Sequence, residues 1–145
     1  MGDRIIIDIT DGTSYTPSFY GHWCGLRAVK VLNDLVKERY DNGMHSLFCN
    51  FIVEIMERRP QKFSYYGYNH GDAEGAADWD NYTWCFNLST MKWTTTDPQF
   101  EGRELTIEES DEFGKKCRPC LYRECKCEEY GSRNCSLKYK EAQNL

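Results

Sequence analysis

Two groups of residues in this 145-residue chain combine side-chain type and spacing in a way that suits chemistry. The first is a run of five thiols: Cys117-Arg-Pro-Cys120, then Cys125-Lys-Cys127, then Cys135. Zinc takes four deprotonated soft ligands in a tetrahedron, and a CxxC turn supplies two of them with little loop-closure cost. Cys117, Cys120, Cys125 and Cys135 make one such set, with Cys127 as a substitute. Five thiols for four places leave the set open, and the pairs stand closer together than in common zinc ribbons. Disulfides in an oxidising compartment and unengaged reduced thiols are the other readings of the same run. The whole chain has 8 cysteines, about 5.5%, below the roughly 8–10% of a disulfide scaffold. A local zinc site in the tail is therefore expected first. Cys24, Cys49 and Cys85 lie scattered in apolar segments and read as buried thiols.

The second group is Phe19-Tyr-Gly-His-Trp-Cys-Gly25, an aromatic segment entering a helix. Rings at Tyr20, His22 and Trp23 could stack a base, and Arg27 could pair a phosphate with help from the N–H groups at the helix start. That makes a nucleotide-like ligand the natural candidate for this edge. Cys24 at the same helix start would have its thiolate stabilised, with His22 beside it. The plainer reading is that His22 and Trp23 finish the edge of the core, that Arg27 pairs with an acid, and that Cys24 is a small buried apolar residue. A loop running His70-Gly-Asp72-Ala-Glu74 and on to Asp78-Trp79-Asp80 offers oxygen ligands for a hard cation. Its glycine and final glutamate are misplaced for a twelve-residue calcium loop, so a solvated acidic loop is expected. The chain holds no Ser-His-Asp elbow, phosphate-binding glycine loop or HExxH motif.

The elements that must position these groups follow from hydrophobic periodicity. Arg4–Thr10 is a β-branched strand with four isoleucines. Asp11-Gly12-Thr13 turns it, and Tyr15–Trp23 returns extended. Gly25–Tyr40 is helical, with Val29, Leu32, Leu35 and Val36 on one face and Lys30, Asn33, Lys37 and Glu38 elsewhere. Asp41-Asn42-Gly43 ends it. A second helix over Met44–Arg58 carries Leu47, Phe48, Phe51, Ile52, Ile55 and Met56 as its apolar stripe, and Pro60 stops it. Phe63–Tyr68 is a short aromatic strand. Tyr82–Leu88 alternates, with Tyr82, Trp84, Phe86 and Leu88 on one face, and Lys92–Thr96 returns as its hairpin partner. A short strand is expected at Leu105–Ile107. The order predicts an α+β fold: an antiparallel sheet of about five strands, two helices on one face, and a Cys-rich C-terminal tail.

Charge divides the chain at the same place. The formal net charge is −5. Residues 1–114 carry 10 Lys and Arg against 19 Asp and Glu, a balance of −9. Residues 115–140 carry 8 basic and 3 acidic residues, a balance of +5. The expected organisation is an α+β domain over 1–114 and a basic tail over 115–145. Nucleic-acid binding by the whole protein is disfavoured, because neutralising phosphates needs a positive surface. The tail alone remains able to meet nucleic acid or to dock on the acidic body. The longest apolar run is far short of the ~20 residues that span a bilayer, and the first residues lack the pattern of a signal peptide. A cytoplasmic protein is expected, with no membrane partner. An exposed aromatic strand edge would favour a homo-oligomer.

Two resemblances add to this. Trp23, Cys24 and Gly25 at the head of a helix resemble the thioredoxin active-site turn, which implies a thiol nucleophile at Cys24. Arg27 stands where the resolving cysteine of that turn would be. Over about residues 4–96 the layout resembles a group of small uncharacterised proteins encoded by phages and prophages. It consists of a β-branched strand, an Asp-Gly turn, Tyr-x-His-Trp-x-Gly, two helices and an acidic loop into an aromatic strand. The matching positions are Tyr20, His22, Trp23 and Gly25, then Asp78, Asn81 and Tyr82. That resemblance implies a viral or mobile-element accessory protein acting in a host cytoplasm, and the Cys-rich tail is not part of its pattern. The expected function is non-enzymatic binding of a host protein or a nucleotide-like ligand, with an anti-defence role, through Tyr20, His22, Trp23, Arg27, Asp78 and Asn81. The alternative is a thiol-dependent enzyme or redox protein using Cys24 and His22.

Overall fold

A computed structural model of the chain describes residues 4–22, 25–39, 43–58 and 65–114. Trp23, Cys24 and the tail cysteines Cys117, Cys120, Cys125, Cys127 and Cys135 lie outside them. Four β-branched isoleucines, three of them consecutive before Asp8, make β1 (Ile5–Thr10), buried along its whole length. The turn after it is built by Asp11, whose carboxylate accepts from the Thr13 and Ser14 N–H groups at 2.9 and 2.8 Å. Gly12 adopts φ +97°, and a Cβ there would meet Ser89 Oγ at 3.1 Å, so both backbone and space call for glycine. The chain returns as β2 (Ser18–Gly21), antiparallel to β1 with Ile7 opposite Phe19.

Two helices follow, α1 (Arg27–Arg39) and α2 (Met44–Arg58), then β3 (Tyr65–Tyr68), β4 (Thr83–Asn87), β5 (Lys92–Thr95), β6 (Leu105–Thr106) and a third helix, α3 (Ile107–Gly114). Among the described residues the sheet has six strands in the order β3-β2-β1-β4-β5-β6. It is mixed, which corrects the antiparallel expectation: β1 and β4 run parallel, with Asp8 opposite Cys85. Because β3 pairs antiparallel to β2, β3 also runs parallel to β4. Parallel strands need a crossover of about a dozen residues, and residues 69–82 supply it by passing over one face of the sheet.

That crossover decides what each face does. On the helical face, Ile5, Ile7 and Ile9 of β1 join Val29, Leu32 and Val36 of α1, Leu47, Phe51 and Ile55 of α2, and Trp84, Phe86 and Trp93 in the main core. On the other face, Ile6 is covered by Ala73 and Ala77 of the crossover. The strand alternation read for Trp84 and Phe86 holds, both being buried.

Three local expectations change. Ile107 belongs to α3 rather than to a strand, and α3 joins α1 and α2 as a third helix, packing on α1. Asn33, placed off the apolar face, is fully buried, because α3 covers that side of α1. Its amide donates to Ser110 Oγ and Asp111 Oδ1, both at 2.8 Å, and its Oδ1 accepts from Trp93 Nε1 at 2.7 Å. Met56, placed in the apolar stripe of α2, is exposed together with Val53. Phe63 and Ser64 of the expected aromatic strand lie outside the described residues.

Candidate functional site

The crossover does not seal the face it spans. Between its first half and strands β1, β2 and β4 lies an open cleft of about 260 Å³. Ile6 and Ala73 form its apolar wall, and Thr83, Thr96 and Glu74 line it as well. Its polar floor is Asp8, whose side chain is only 10% exposed. An acid in the middle of Ile5–Thr10 points away from the helical core because strand side chains alternate between faces. A buried carboxylate is costly unless hydrogen bonds and opposite charge support it. Ser18, in the neighbouring strand, donates its hydroxyl to Asp8 Oδ1. His70 Nδ1 lies 3.6 Å from the same oxygen. Among the described residues no hydrogen bond reaches Asp8 Oδ2.

His70 is fixed from outside by Tyr15, whose ring stacks on it at 3.8 Å and 11°. Tyr15 itself is tied to the end of β1 by a bridge to Thr10. Cys85 lies opposite Asp8 in the β1–β4 register. Burial, and then the Asp8 charge, push the Cys85 thiol up to about 12. It stays protonated at neutral pH and is no nucleophile.

Ser18 and His70 converge on a single carboxylate oxygen. A Ser–His–Asp relay needs a different order: the hydroxyl on one ring nitrogen and the carboxylate on the other. The arrangement therefore suits recognition of a ligand by a held carboxylate better than activation of a hydroxyl. Among the described residues no group of three or more His, Cys, Asp or Glu is placed to share a metal ion.

The residues expected at the ligand edge are distributed differently. Tyr20 packs against the Ile6–Ala73–Ala77 cluster, and its ring meets that of His22 edge-on at 6.3 Å. Burial, and then the charge of Arg4, hold His22 below its ordinary value of 6.5. Arg4 is itself held by Asp80, its Nε 2.7 Å from Oδ2. Arg27 is the first residue of α1 and is 2% exposed. Asn81 is buried and holds the end of the crossover to β1: its backbone and side-chain N–H groups both donate to the Arg4 carbonyl, at 3.2 and 3.0 Å. Its own carbonyl accepts from Trp84 Nε1 at 2.8 Å. Asp78 is exposed on the crossover. Tyr20 and His22 thus come together near Arg4 and Asp80, while Asn81 has a structural task.

Sequence reasoning missed Asp8 and Ser18, read Cys85 as a buried thiol without placing it beside Asp8, and saw His70 only as part of an acidic loop. The available signal was Asp8 itself, an acid inside an otherwise apolar β-branched strand. Comparison with protein-family models, with curated protein sequences and with solved structures finds no match to this chain.

Proposed function

We propose that this protein works by binding rather than by turnover, and that its ligand is a partner protein. The observation that carries the reading is the open-face cleft with Asp8 at its floor, where the polar groups hold one another in place and none is set up as a nucleophile. Its volume of about 260 Å³ falls just below the roughly 300–1,000 Å³ of pockets that enclose a drug-sized ligand. That size suits one inserted side chain better than a whole nucleotide. A nucleotide phosphate would also meet Asp8 and Glu74 there, which disfavours it at this place. On the same crossover Trp79 is 89% exposed, and tryptophan is, with tyrosine and arginine, enriched at the energetic centres of protein interfaces.

The phage-type resemblance makes the partner a host protein and the setting a host cytoplasm. No helix among the described residues is long and apolar enough to cross a membrane. The tail belongs to the same proposal as a zinc-stapled contact surface formed by four of Cys117, Cys120, Cys125, Cys127 and Cys135. The thiol-enzyme alternative rests on Cys24, outside the described residues. Native mass spectrometry of freshly purified protein, against its denatured mass, tests the reading. Stoichiometric retention of a partner or ligand, unchanged in Cys24→Ser, is the expected result. Catalytic consumption of a candidate substrate at sub-stoichiometric protein, lost in Cys24→Ser, would overturn it.

A further inference from the structure

We propose that the open-face cleft binds a small organic cation, an alkylammonium or guanidinium group, with Asp8 as its counter-ion. The inference rests on the reading of the protein as a binder and names the chemistry of what it holds. Three observations carry it. The lining contains two carboxylates, Asp8 and Glu74, and no lysine or arginine. The Asp8 side chain is nine-tenths buried, yet among the described residues only its Oδ1 is engaged, by Ser18 and His70, which leaves Oδ2 to a donor entering the cleft. The crossover above it carries four acids and no lysine or arginine over residues 69–81, which draws cations towards the opening.

The size and lining narrow the class further. Ile6 and Ala73 offer an apolar wall to an alkyl stem, and the Thr83 and Thr96 hydroxyls offer acceptors to the remaining N–H groups of the head. A hard divalent ion would need more oxygen ligands than this lining groups together. A lysine or arginine side chain of a partner protein and a free polyamine or guanidino compound present the same chemistry, and the test separates them.

The test uses the full chain, with agmatine, cadaverine and an Arg-containing tripeptide as probes and an uncharged alkylamide of matching length as control. Binding is followed by calorimetry and by the methyl NMR signals of Ile6 and Ala73. The inference expects saturable binding of the cations, shifts at both methyls, no binding of the neutral control, and at least a tenfold loss in Asp8→Asn. Should Asp8→Asn fail to fold, Glu74→Gln on the exposed rim is expected to weaken binding severalfold. Tighter binding of the tripeptide than of agmatine would assign the cation to a partner's side chain, and the reverse would assign it to a free small molecule. Cation binding that is absent at millimolar concentration, or equal in Asp8→Asn and Glu74→Gln, would overturn the inference. If a partner is nonetheless retained in the native mass spectrum, the binding reading survives that failure.

Discussion

At the scale of single residues, burial sets the reactivity of the described side chains more than residue type does. The sequence reads Cys85 and Cys49 alike as buried thiols, but the structure exposes Cys49 on α2, whereas Cys85 stands opposite Asp8 on the neighbouring strand. A thiol pushed up to about 12 is thiolate in only about one molecule in ten thousand at pH 8. Alkylation followed by peptide mapping is expected to label Cys49 at least a hundredfold faster than Cys85 in the native protein, and equal rates would contradict the burial argument. His22 gives a pH dependence of defined sign. Its folded value is held below 6.5 by burial and then by Arg4, so the unfolded chain binds the extra proton first as pH falls. The contribution of His22 is complete above pH 6.5 and is lost as pH drops through that window. Asp11 and Glu109 are also lowered, by the hydrogen bonds they accept, but from 3.8 and 4.5, so they act only in stronger acid. Urea midpoints measured between pH 7.5 and 5 should fall for the natural chain and flatten in His22→Gln. A slope unchanged by that substitution would remove His22 as its cause.

At the scale of elements, a polar network holds α3 in place, because its eight residues are too few to be stable alone. Asn33 of α1 joins Trp93 of β5 to Ser110 and Asp111 of α3, and Lys37 closes the network on Asp111 Oδ2 at 2.6 Å. Replacing Asn33 by Leu leaves the Trp93 N–H and one Asp111 oxygen buried without their partner. Each orphaned buried group costs about 1–3 kcal/mol, so the two together predict a loss of about 2–6 kcal/mol in urea unfolding. A change below about 1 kcal/mol would show that α3 is not held through this residue. The same network shows where the sequence was legible. The apolar periodicity of α1 and α2 and the alternation of β4 could be read directly, since each depends on neighbours a few residues apart. Asn33 could not, because its burial depends on residues 77 and 78 positions away. Ile107–Gly114, with acids at four of its eight positions, Glu108, Glu109, Asp111 and Glu112, gave no strong apolar stripe to announce a helix.

At the scale of the whole molecule, pairing direction and the origin of the cleft share one cause. Strand alternation is the same in parallel and antiparallel sheets, so Ile5–Thr10 and Thr83–Asn87 gave no sign that they pair parallel. The crossover that this pairing requires makes the open-face cleft, and with it the neighbourhood of Asp8 and His70. The described sheet and helices, with the core that joins them, lie within residues 5–114. The proposed division at residue 114 implies that a zinc site in the tail can be emptied without unfolding the body, unlike a zinc finger whose folding is metal-driven. A chelator is expected to release about one zinc per chain while the thermal midpoint of the body moves by less than about 4 °C, the lower bound for a loss of 1 kcal/mol in a domain of 60–100 residues. A variant ending at Gly114 should keep the same cooperative transition and retain no zinc. Metal-free protein with a mass lower by 2 Da per pair of thiols would replace zinc by disulfides. Cooperative unfolding of the whole chain on chelation would place the metal inside the core's own stability and overturn the division at residue 114.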